Sequence, residues 1–561
     1  MQKFWLASYP AGVPHDIDPG VYGSLVDLID EAFRVHASRT AYVGFGVSMS
    51  FAELDARSRA FAAWLQSTGL RRGDRVALMM PNVLQYPVAL AGVLRAGMVI
   101  VNVNPLYTAR ELEHQLKDSG ARAIVILENF AHVLQQVVAN TSVEKVVVTG
   151  MGDLLGGIKG MLVNAVVKHV KKMVPAWDLP EALSFREVVR HGQSLALAPV
   201  QLGHDDLAVL QYTGGTTGVS KGAALSHRNL IANLLQSEAW IQPAVNNPKR
   251  PLPAGEPITV VCALPLYHIF AFTICALLGM RIGAKNLLIP NPRDLDALVK
   301  EIRPHRVNIF PAVNTLYNAL VNHEGFRQLD FSGLVVSNGG GMAVQAATAE
   351  KWLALTGCPI CEGYGLSETS PSATCNPTDT DAYSGTIGLP LPSTEVVMLD
   401  DDGQPVAIGE RGEIAIRGPQ VMTGYWQRPD ETARVFTSDG FFRTGDIGVT
   451  DERGFVRIVD RKKDMILVSG FNVYPNEVEQ VAAMHPGVLE VAAVGVPDEK
   501  TGETVKLFVV RKDPALTEQA LMEFCAEQLT GYKRPRQVEF RNELPKTNVG
   551  KILRRALREA A

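Results

Sequence analysis

A glycine-rich stretch between two apolar runs has the composition of a phosphate-binding loop. Residues 212–222 read YTGGTTGVSKG, with four glycines, three threonines, one serine and one lysine. Glycine lets a ligand approach the main chain, while clustered hydroxyls and amide N–H groups form a cradle for anionic oxygens. The stretch departs from the Walker pattern, because Ser220 precedes Lys221 and Gly222 follows it. A phosphate loop of another kind and a flexible turn both remain open on these residues alone.

Further short motifs with polar, aromatic or glycine-rich character follow this loop along the chain. They are Leu264–His268, Asn338–Gly341, Gly363–Thr369, Tyr425–Trp426, Arg443–Asp446, Asp460–Met465, Ser469–Pro475 and Pro545–Lys551. Taken singly, a glycine triplet is more often a plain loop, and a charged run is usually a solvated face. Their interpretation depends on their order.

Length, charge and cysteine content narrow the class of protein. At 561 residues the chain exceeds the size at which single cores stop growing, so we expect at least two domains. The net charge of −4 gives no electrostatic argument for a nucleic-acid partner. Six scattered cysteines and no apolar leader in residues 1–10 favour the cytoplasm. The CxxC spacing of Cys358 and Cys361 lacks a second ligand pair, which favours core cysteines over a zinc site.

Alternating β-rich and helical patterns over the first 460 residues predict α/β layers with largely parallel strands. A strand at Arg75–Met80, a helix at Gln85–Ala96, a strand at Val99–Val103 and a helix at Ala109–Ser119 illustrate the alternation. These elements would position the polar motifs on the loops that follow strands.

The last hundred residues have a different, α+β pattern. It predicts helices at Pro475–Ala483 and Leu516–Leu529 and strands at Val488–Val496 and Val505–Val510. This is enough for a small second domain, and the charged run from Asp460 is a candidate hinge.

Residues 158–177 combine apolar side chains with four lysines in a helical pattern. Such a basic amphipathic helix lies on an anionic lipid surface in some proteins and caps the protein's own core in others. The pattern suits both. No apolar run reaches the roughly 20 residues that span a bilayer.

The ordered set of motifs resembles the adenylate-forming superfamily of acyl-CoA ligases, luciferases and peptide-synthetase adenylation domains. Within it the chain looks most like the bacterial long-chain fatty acid–CoA ligases, and the resemblance runs end to end. It implies an α/β multidomain fold: a large N-terminal region of two α/β subdomains plus a β-barrel, carrying a small mobile α+β C-terminal domain. We place these at residues 1–460 and 461–561, with the hinge near Lys463.

The resemblance implies that ATP, CoA and a long-chain fatty acid are substrates and that Mg²⁺ is required. A carboxylate is a poor electrophile, so ATP first converts it to an acyl-AMP, from which a thiol displaces AMP. By resemblance, Lys551 bridges the acyl carboxylate and the α-phosphate, while Thr213 and Glu368 coordinate Mg²⁺. The implied phosphate-binding residues are Thr213, Gly214, Gly215, Thr216, Thr217, Gly218, Ser220 and Lys221.

The remaining nucleotide contacts are implied in the same way. Asp446 would accept hydrogen bonds from the ribose hydroxyls, Arg461 would support the ribose or phosphates, and Tyr364 would stack near adenine. The other implied contacts are Gly339, Gly340, Gly341, Gly363, Gly365 and Ser367. For Asp446 and Arg461, a turn and a hinge ion pair are the alternatives.

In the second half-reaction the C-terminal domain is expected to rotate about Lys463. It would withdraw Lys551 and present Ser469 and Gly470 to the thiol of CoA. His268 falls where the family often has a group near the thiol and acyl tunnel, although a packing histidine suits the position nearly as well.

Two other functions remain open. A fatty acyl-AMP ligase passes its product to a carrier protein, but usually carries an inter-domain insertion that is absent between Asp446 and Asp460. A non-catalytic nucleotide or lipid sensor would have lost Lys551, Glu368 or Thr213, and all three are present. The sequence leaves the chain-length optimum, the pathway, the membrane affinity and the oligomeric state open, a homodimer included.

Overall fold

The structure, a computed structural model, describes residues 3–213, 220–252, 255–461, 464–469, 471–498, 500–547 and 550–559, with the backbone alone for Arg461 and Asn472. Its strands are β1 Thr40–Gly44, β2 Val47–Ser50, β3 Arg75–Met79, β4 Val99–Asn102, β5 Ala121–Leu127, β6 Lys145–Thr149, β7 Leu183–Ser184, β8 Leu207–Thr213, β9 Lys221–Ser226, β10 Thr259–Cys262, β11 Lys285–Leu288, β12 Ile309–Ala312, β13 Val336–Gly339, β14 Ile360–Gly365, β15 Ser372–Cys375, β16 Leu389–Pro390, β17 Glu395–Leu399, β18 Arg411–Arg417, β19 Gly424–Tyr425, β20 Phe442–Thr450, β21 Val456–Arg461, β22 Ile466–Val468, β23 Phe471–Val473, β24 Val488–Asp498, β25 Gly502–Arg511 and β26 Gln537–Arg541.

Its helices are α1 Leu25–Val35, α2 Phe51–Ser67, α3 Gln85–Arg95, α4 Ala109–Ser119, α5 Ala131–Gln135, α6 Gly157–Ala165, α7 Phe185–Gly192, α8 His227–Val245, α9 Ile269–Ala271, α10 Leu278–Arg281, α11 Leu295–Ile302, α12 Asn314–Val321, α13 Glu324–Arg327, α14 Ala346–Thr356, α15 Pro429–Val435, α16 Pro475–Ala483, α17 Glu518–Gln528 and α18 Arg554–Glu559. Two π-helical stretches, Val166–Val170 and Phe272–Leu277, follow α6 and α9 directly. The elements predicted between Arg75 and Ser119 and after Asp460 are all present, with ends within a few residues of the predicted ones.

Two large sheets form the N-terminal lobe, which we take as residues 3–461. One runs β16-β15-β14-β13-β12-β10-β11-β1-β2 and the other β19-β9-β8-β4-β3-β5-β6-β7. Their central strands are parallel, as β12 is to β13 and β3 to β4. Antiparallel strands occupy the edges at β2, β16 and β19, whereas the edge strand β7 pairs in parallel with β6. Strands such as β4 and β12 are buried along their whole length, as expected of parallel strands covered by helices on both faces. The predicted α/β architecture is confirmed.

Helix starts in this lobe follow local capping chemistry. Ser50, Thr108 and Ser226 each cap a helix by accepting a hydrogen bond from the third helical residue, whose side chain bonds back to the cap. This reciprocal arrangement satisfies two N–H groups that a helix end leaves without partners. The helices therefore begin where the sequence supplies a hydroxyl.

The strands where a β-barrel was expected form an open sheet. The order β17-β18-β20-β21 is antiparallel throughout, and its end strands do not pair with each other in the part of the chain that the structure describes. A short hairpin joins β20 to β21, which ends at the predicted hinge.

The C-terminal lobe, which we take as residues 464–559, has its own sheet and its own core. β23, β22, β25 and β24 are antiparallel neighbours, and β26 adds to β25 in parallel. Two clusters of buried apolar side chains lie wholly within this lobe, one around Val478 and Leu507 and the other around Phe508 and Leu557. The division between residues 460 and 461 remains a prediction.

The helix expected over residues 158–177 is shorter than predicted. The helical backbone ends at Val170, where the π-helical stretch stops. Lys172 has φ of 51°, and Pro175 follows soon after, so the chain cannot continue as a helix. No helix in the described ranges is both long and apolar enough to cross a membrane.

Candidate active site

A cavity of about 380 Å³ lies between the two lobes. Several predicted site residues line it, namely Gly341, Gly363, Tyr364, Gly365, Asp446 and Lys551. They come from the loop after β13, from the end of β14, from β20 and from the C-terminal lobe. Residues up to 210 positions apart in the chain therefore share one cleft.

Lys551 reaches this cleft on a tight turn of the C-terminal lobe. Thr547 closes the turn, because its N–H donates to the Lys551 carbonyl at 2.6 Å and its hydroxyl accepts from the Lys551 N–H at 3.1 Å. The neighbouring Gly550 carbonyl accepts a hydrogen bond from the Thr315 hydroxyl of the N-terminal lobe at 3.2 Å. The turn thus docks on the opposite lobe and holds Lys551 at the cleft.

His268 is half-buried and lies within the electrostatic reach of Lys551. Burial, with the Lys551 charge adding to it, lowers the pKa of the His268 imidazole to about 4. Its Nδ1 accepts a hydrogen bond from the Phe270 N–H at 3.3 Å. The ring is therefore neutral near pH 7, and its role in thiol positioning stays a prediction.

Tyr364 and Asp446 are joined directly. The Tyr364 hydroxyl donates to Asp446 Oδ2 at 2.6 Å, and the Asp446 side chain is buried. Asp446 lies opposite Arg461 in the β20–β21 ladder, although the side chain of Arg461 is outside the described atoms. The aromatic ring and the carboxylate predicted for adenine and ribose therefore share one end of the cleft.

The two ends of the predicted phosphate loop are neighbours in β8 and β9. Thr213 pairs with Lys221 across the antiparallel ladder, and the Ser220 carbonyl contacts His114 Nε2 at 3.0 Å. Lys221 Nζ forms an ion pair with Glu431 at 2.6 Å and lies 5.1 Å from the centre of the Tyr425 ring. The predicted residues Gly214, Gly215, Thr216, Thr217 and Gly218 lie outside the described residues.

Glu368 is buried beside this group. Its Oε1 accepts a hydrogen bond from the Tyr425 hydroxyl at 2.8 Å, and Ser367 opens the same short 3₁₀ turn. A Thr213 hydroxyl and a Glu368 carboxylate are hard oxygen donors that suit Mg²⁺ when phosphate oxygens complete its shell. No cluster of three or more His, Cys, Asp or Glu side chains that could hold a metal occurs among the described residues. The two oxygen donors fit an ion whose remaining ligands come from substrate phosphates and water.

The glycine triplet after β13 serves packing as well as access. A Cβ at Gly339 would lie 2.7 Å from Val344, and one at Gly340 would lie 2.9 Å from the Phe270 ring. Gly341 adopts φ of 78° and lines the cavity. A Cβ at Gly365 would lie 1.8 Å from the Pro371 carbonyl oxygen. At Gly339, Gly340 and Gly365, the missing side chain therefore makes room for other residues of the same chain.

Ser469, which was predicted for the thiol side, does not reach the cavity in this orientation of the lobes. Ser469 is exposed, with φ of 51°, and its N–H donates to the Thr501 carbonyl. It is absent from the residues that line the cavity, and Gly470 lies outside the described residues.

Three side chains at the site were not predicted from the sequence. Glu431 and Tyr425 hold Lys221 and Glu368, as described above. Glu362 lines the cavity, where burial raises the pKa of its carboxyl to about 8 against hydrogen bonds from the Val344 N–H and the Tyr383 hydroxyl. A carboxyl group within the otherwise uncharged strand β14 was the available signal for Glu362.

A nucleotide-sized cleft between a large α/β lobe and a small lobe that supplies a lysine defines an adenylate-forming enzyme. The profile described as "AMP-binding enzyme" matches residues 29–426, and that described as "AMP-binding enzyme C-terminal domain" matches residues 477–551. The chain belongs to the AMP-binding enzyme family.

Similar proteins of known description point to one group within this family. The chain is 58% identical over 562 residues to the long-chain-fatty-acid–CoA ligase of Salmonella typhimurium, covering 100% of this chain and 99% of that protein. It is 52% identical over 560 residues to the ligase of the same description from Haemophilus influenzae, covering 100% and 98%. The resemblance inferred from the motifs is confirmed.

Solved structures share the fold. The anthranilate CoA ligase AuaEII in complex with anthranoyl-AMP is 27% identical, with a TM-score of 0.84 over 97% of this chain and 99% of that one. ATP-bound MatB from Rhodopseudomonas palustris is 29% identical, with a TM-score of 0.78 over 95% and 98%.

Proposed function

We propose that this chain activates long-chain fatty acids to acyl-CoA thioesters through an acyl-AMP intermediate, releasing AMP and pyrophosphate. The full-length similarity to long-chain-fatty-acid–CoA ligases supports the substrate class. The position of Lys551 in the cleft, docked through Gly550 on Thr315, carries the proposal for the chemistry.

In the first half-reaction, a carboxylate oxygen of the fatty acid attacks the α-phosphorus of ATP. The bond to the β-phosphate breaks, and pyrophosphate leaves. Lys551 stabilises the negative charge that develops around the α-phosphate, because a fixed cation in a desolvated cleft needs no reorganisation during the reaction. Asp446 and Tyr364 orient the nucleoside. Thr213 and Glu368 would hold Mg²⁺, which when bound would supply positive charge at the phosphates.

In the second half-reaction, the CoA sulfur attacks the acyl carbonyl carbon, and AMP departs with the bonding electron pair. Rotation of the C-terminal lobe about Lys463 brings Ser469 and Gly470 to the thiol side. The short β20–β21 hairpin favours release to CoA over transfer to a carrier protein, because no insertion there obstructs the rotation.

Replacing Lys551 by alanine tests the assignment. We expect Lys551→Ala to slow fatty-acid-dependent ATP–pyrophosphate exchange by roughly a hundredfold or more, since a transition-state charge contact is lost. Thioester formation from supplied acyl-AMP and CoA should persist. Lys546→Ala is the matched control, because Lys546 lies in the same segment but forms an ion pair with Glu490 at 2.6 Å. Loss of both half-reactions in Lys551→Ala would contradict the assigned role.

We also propose that the chain contacts membranes peripherally through the patch formed by residues 158–173. Six of its apolar side chains are exposed, with Ile158 at 72% and Val170 at 73%, while Val163 and Val167 face the core. The other exposed apolar members are Met161, Leu162, Val166 and Met173. The exposed lysines Lys159, Lys168, Lys171 and Lys172 supply positive charge, so an anionic lipid surface complements the patch. A cap over the protein's own core would have left these apolar groups buried.

Charge reversal tests this patch. We expect the replacement of Lys168, Lys171 and Lys172 together by glutamate to weaken binding to phosphatidylcholine–phosphatidylglycerol vesicles, measured by sedimentation, by roughly a hundredfold or more, because each lysine contributes about 1 kcal/mol. Reversal of Arg190, Lys249 and Lys512, which are exposed elsewhere, is the control. Unchanged binding of the patch variant would eliminate the patch as the anchor.

A homodimer stays a prediction, which sedimentation velocity can test.

A further inference from the structure

Asp460 belongs to the N-terminal lobe by backbone pairing but to the C-terminal lobe by side-chain contacts. Its backbone lies in β21, opposite Ile447 of β20. Its side chain is 0% exposed. Asp460 Oδ2 accepts a hydrogen bond from the Asn476 N–H at the start of α16 at 2.9 Å, and Oδ1 lies 3.5 Å from Arg554 Nη1. These contacts cross the predicted hinge near Lys463.

Arg554 keeps other partners on its own lobe. Its guanidinium donates to both carboxylate oxygens of Glu479, at 3.0 and 2.8 Å, and lies 3.5 Å from Asp464 Oδ2. Asp464 follows the hinge and also accepts from Arg558 at 3.0 Å. A rotation about Lys463 would therefore remove Asp460 from this cluster and leave Glu479 and Asp464 in place.

A fully buried carboxylate that loses its donors pays a desolvation cost unless water replaces them. The contacts of Asp460 therefore stabilise the lobe orientation in which they form. That orientation is also the one that holds Lys551, three residues before Arg554, at the cleft.

We propose that Asp460 is a positioning residue that latches the C-terminal lobe in the orientation for acyl-AMP formation, and that the latch must open before the thioester forms. The latch consists of the Asp460 carboxylate, the Asn476 N–H and the Arg554 guanidinium. It rests on the proposed two-step function and on the hinge near Lys463.

Asp460→Asn tests the latch, because the amide keeps an acceptor for Asn476 and loses the charge that attracts Arg554. We expect fatty-acid-dependent ATP–pyrophosphate exchange to fall about tenfold, within the usual range of conformational coupling. Thioester formation from supplied acyl-AMP and CoA should rise, because the second orientation gains population. A residue that only supports the fold would lower both rates.

Asp464→Asn is the matched control, because Asp464 contacts the same Arg554 at the same distance but moves with the C-terminal lobe. We expect it to leave the ratio of the two half-reaction rates within about twofold of wild type. An equal shift of the ratio in Asp464→Asn, or a fall of both rates in Asp460→Asn, would overturn the latch.

A second variant is needed if circular dichroism shows that Asp460→Asn does not fold. Arg554→Gln removes the charge on the C-terminal lobe's side of the latch. It should likewise slow ATP–pyrophosphate exchange and speed thioester formation from supplied acyl-AMP. If Arg554→Gln slows the first half-reaction and leaves the second unchanged, Arg554 only helps to place Lys551, and the latch is refuted. The wild-type protein separates the proposed ligase activity from the proposed latch. If wild type forms no acyl-CoA, the ligase activity is refuted. If wild type is active but Asp460→Asn does not change the ratio of the two half-reaction rates, only the latch is refuted.

Discussion

At the residue scale, the charge of Lys551 acts on a nearby imidazole. Desolvation of the His268 ring, together with that charge, lowers the pKa of the imidazole to about 4. A lowered pKa means that the neutral ring is favoured above that value. His268 therefore does not supply a positive charge near neutral pH.

We predict that His268 stays neutral throughout the working pH range of the first half-reaction. The rate of ATP–pyrophosphate exchange should show no ionisation from this group between about pH 6 and pH 8, where an unperturbed histidine titrates. NMR titration of the histidine ring protons should place the pKa of His268 well below its ordinary value. Lys551→Ala should raise it, because a like charge is removed.

A His268 that titrates near its ordinary pKa in wild type would show that burial is incomplete in solution. An unchanged pKa in Lys551→Ala would show that Lys551 does not dwell at the cleft. The two results separate the burial of the ring from the orientation of the lobe.

At the element scale, two helices of the N-terminal lobe pack so closely that their backbones touch with no side chain between them. α7 ends at Gly192, and a Cβ built there would lie 1.9 Å from the Ala60 carbonyl oxygen of α2. A backbone atom cannot swing away as the end of a side chain can, so α7 and α2 would have to separate. The same logic makes Gly365 indispensable for the loop that follows β14.

We predict that Gly192→Ala lowers the free energy of unfolding of the N-terminal lobe by about 3 kcal/mol, the cost of overpacking against a fixed neighbour. Urea unfolding followed by tryptophan fluorescence measures it. Gly203→Ala is the control and should change stability by less than about 0.5 kcal/mol, because the nearest atom to its Cβ is 3.9 Å away. Equal stability of the two variants would contradict the close packing of α7 on α2.

At the scale of the whole molecule, two lobes with separate cores meet at a cleft. Among the described residues, hydrogen bonds cross it, such as Asn318 Nδ2 to the Leu489 carbonyl at 3.2 Å and the Thr315 hydroxyl to the Gly550 carbonyl. Small polar interfaces within a chain permit relative motion of domains. The same cleft that binds a nucleotide is therefore suited to open and re-form between half-reactions.

We predict that a fragment of residues 464–561 folds without the rest of the chain. Its two apolar clusters contain no residue from the N-terminal lobe, so they can be buried by the fragment alone. Circular dichroism should show mixed helix and strand content and a cooperative urea transition. A featureless transition would mean that the N-terminal lobe is needed to complete this core.

The sequence by itself determined the family, the alternation of strands and helices, and the loops that carry the chemistry. Strand and helix periodicity is local, so α4 and α16 could be predicted with their ends correct. Motif chemistry is local as well, which is why Lys551, Asp446 and Tyr364 could be assigned to one site before their positions were known.

Only the tertiary structure decided which of these groups touch. The Tyr364–Asp446 hydrogen bond, the Lys221–Glu431 ion pair and the contact of Asp460 with Arg554 join segments that are distant in the chain. It also showed an open sheet in place of a barrel, an exposed apolar patch at residues 158–173, and a helix there that stops at Val170. Contacts of this kind depend on how sheets and lobes pack in three dimensions, and neither residue spacing nor local propensity encodes that packing.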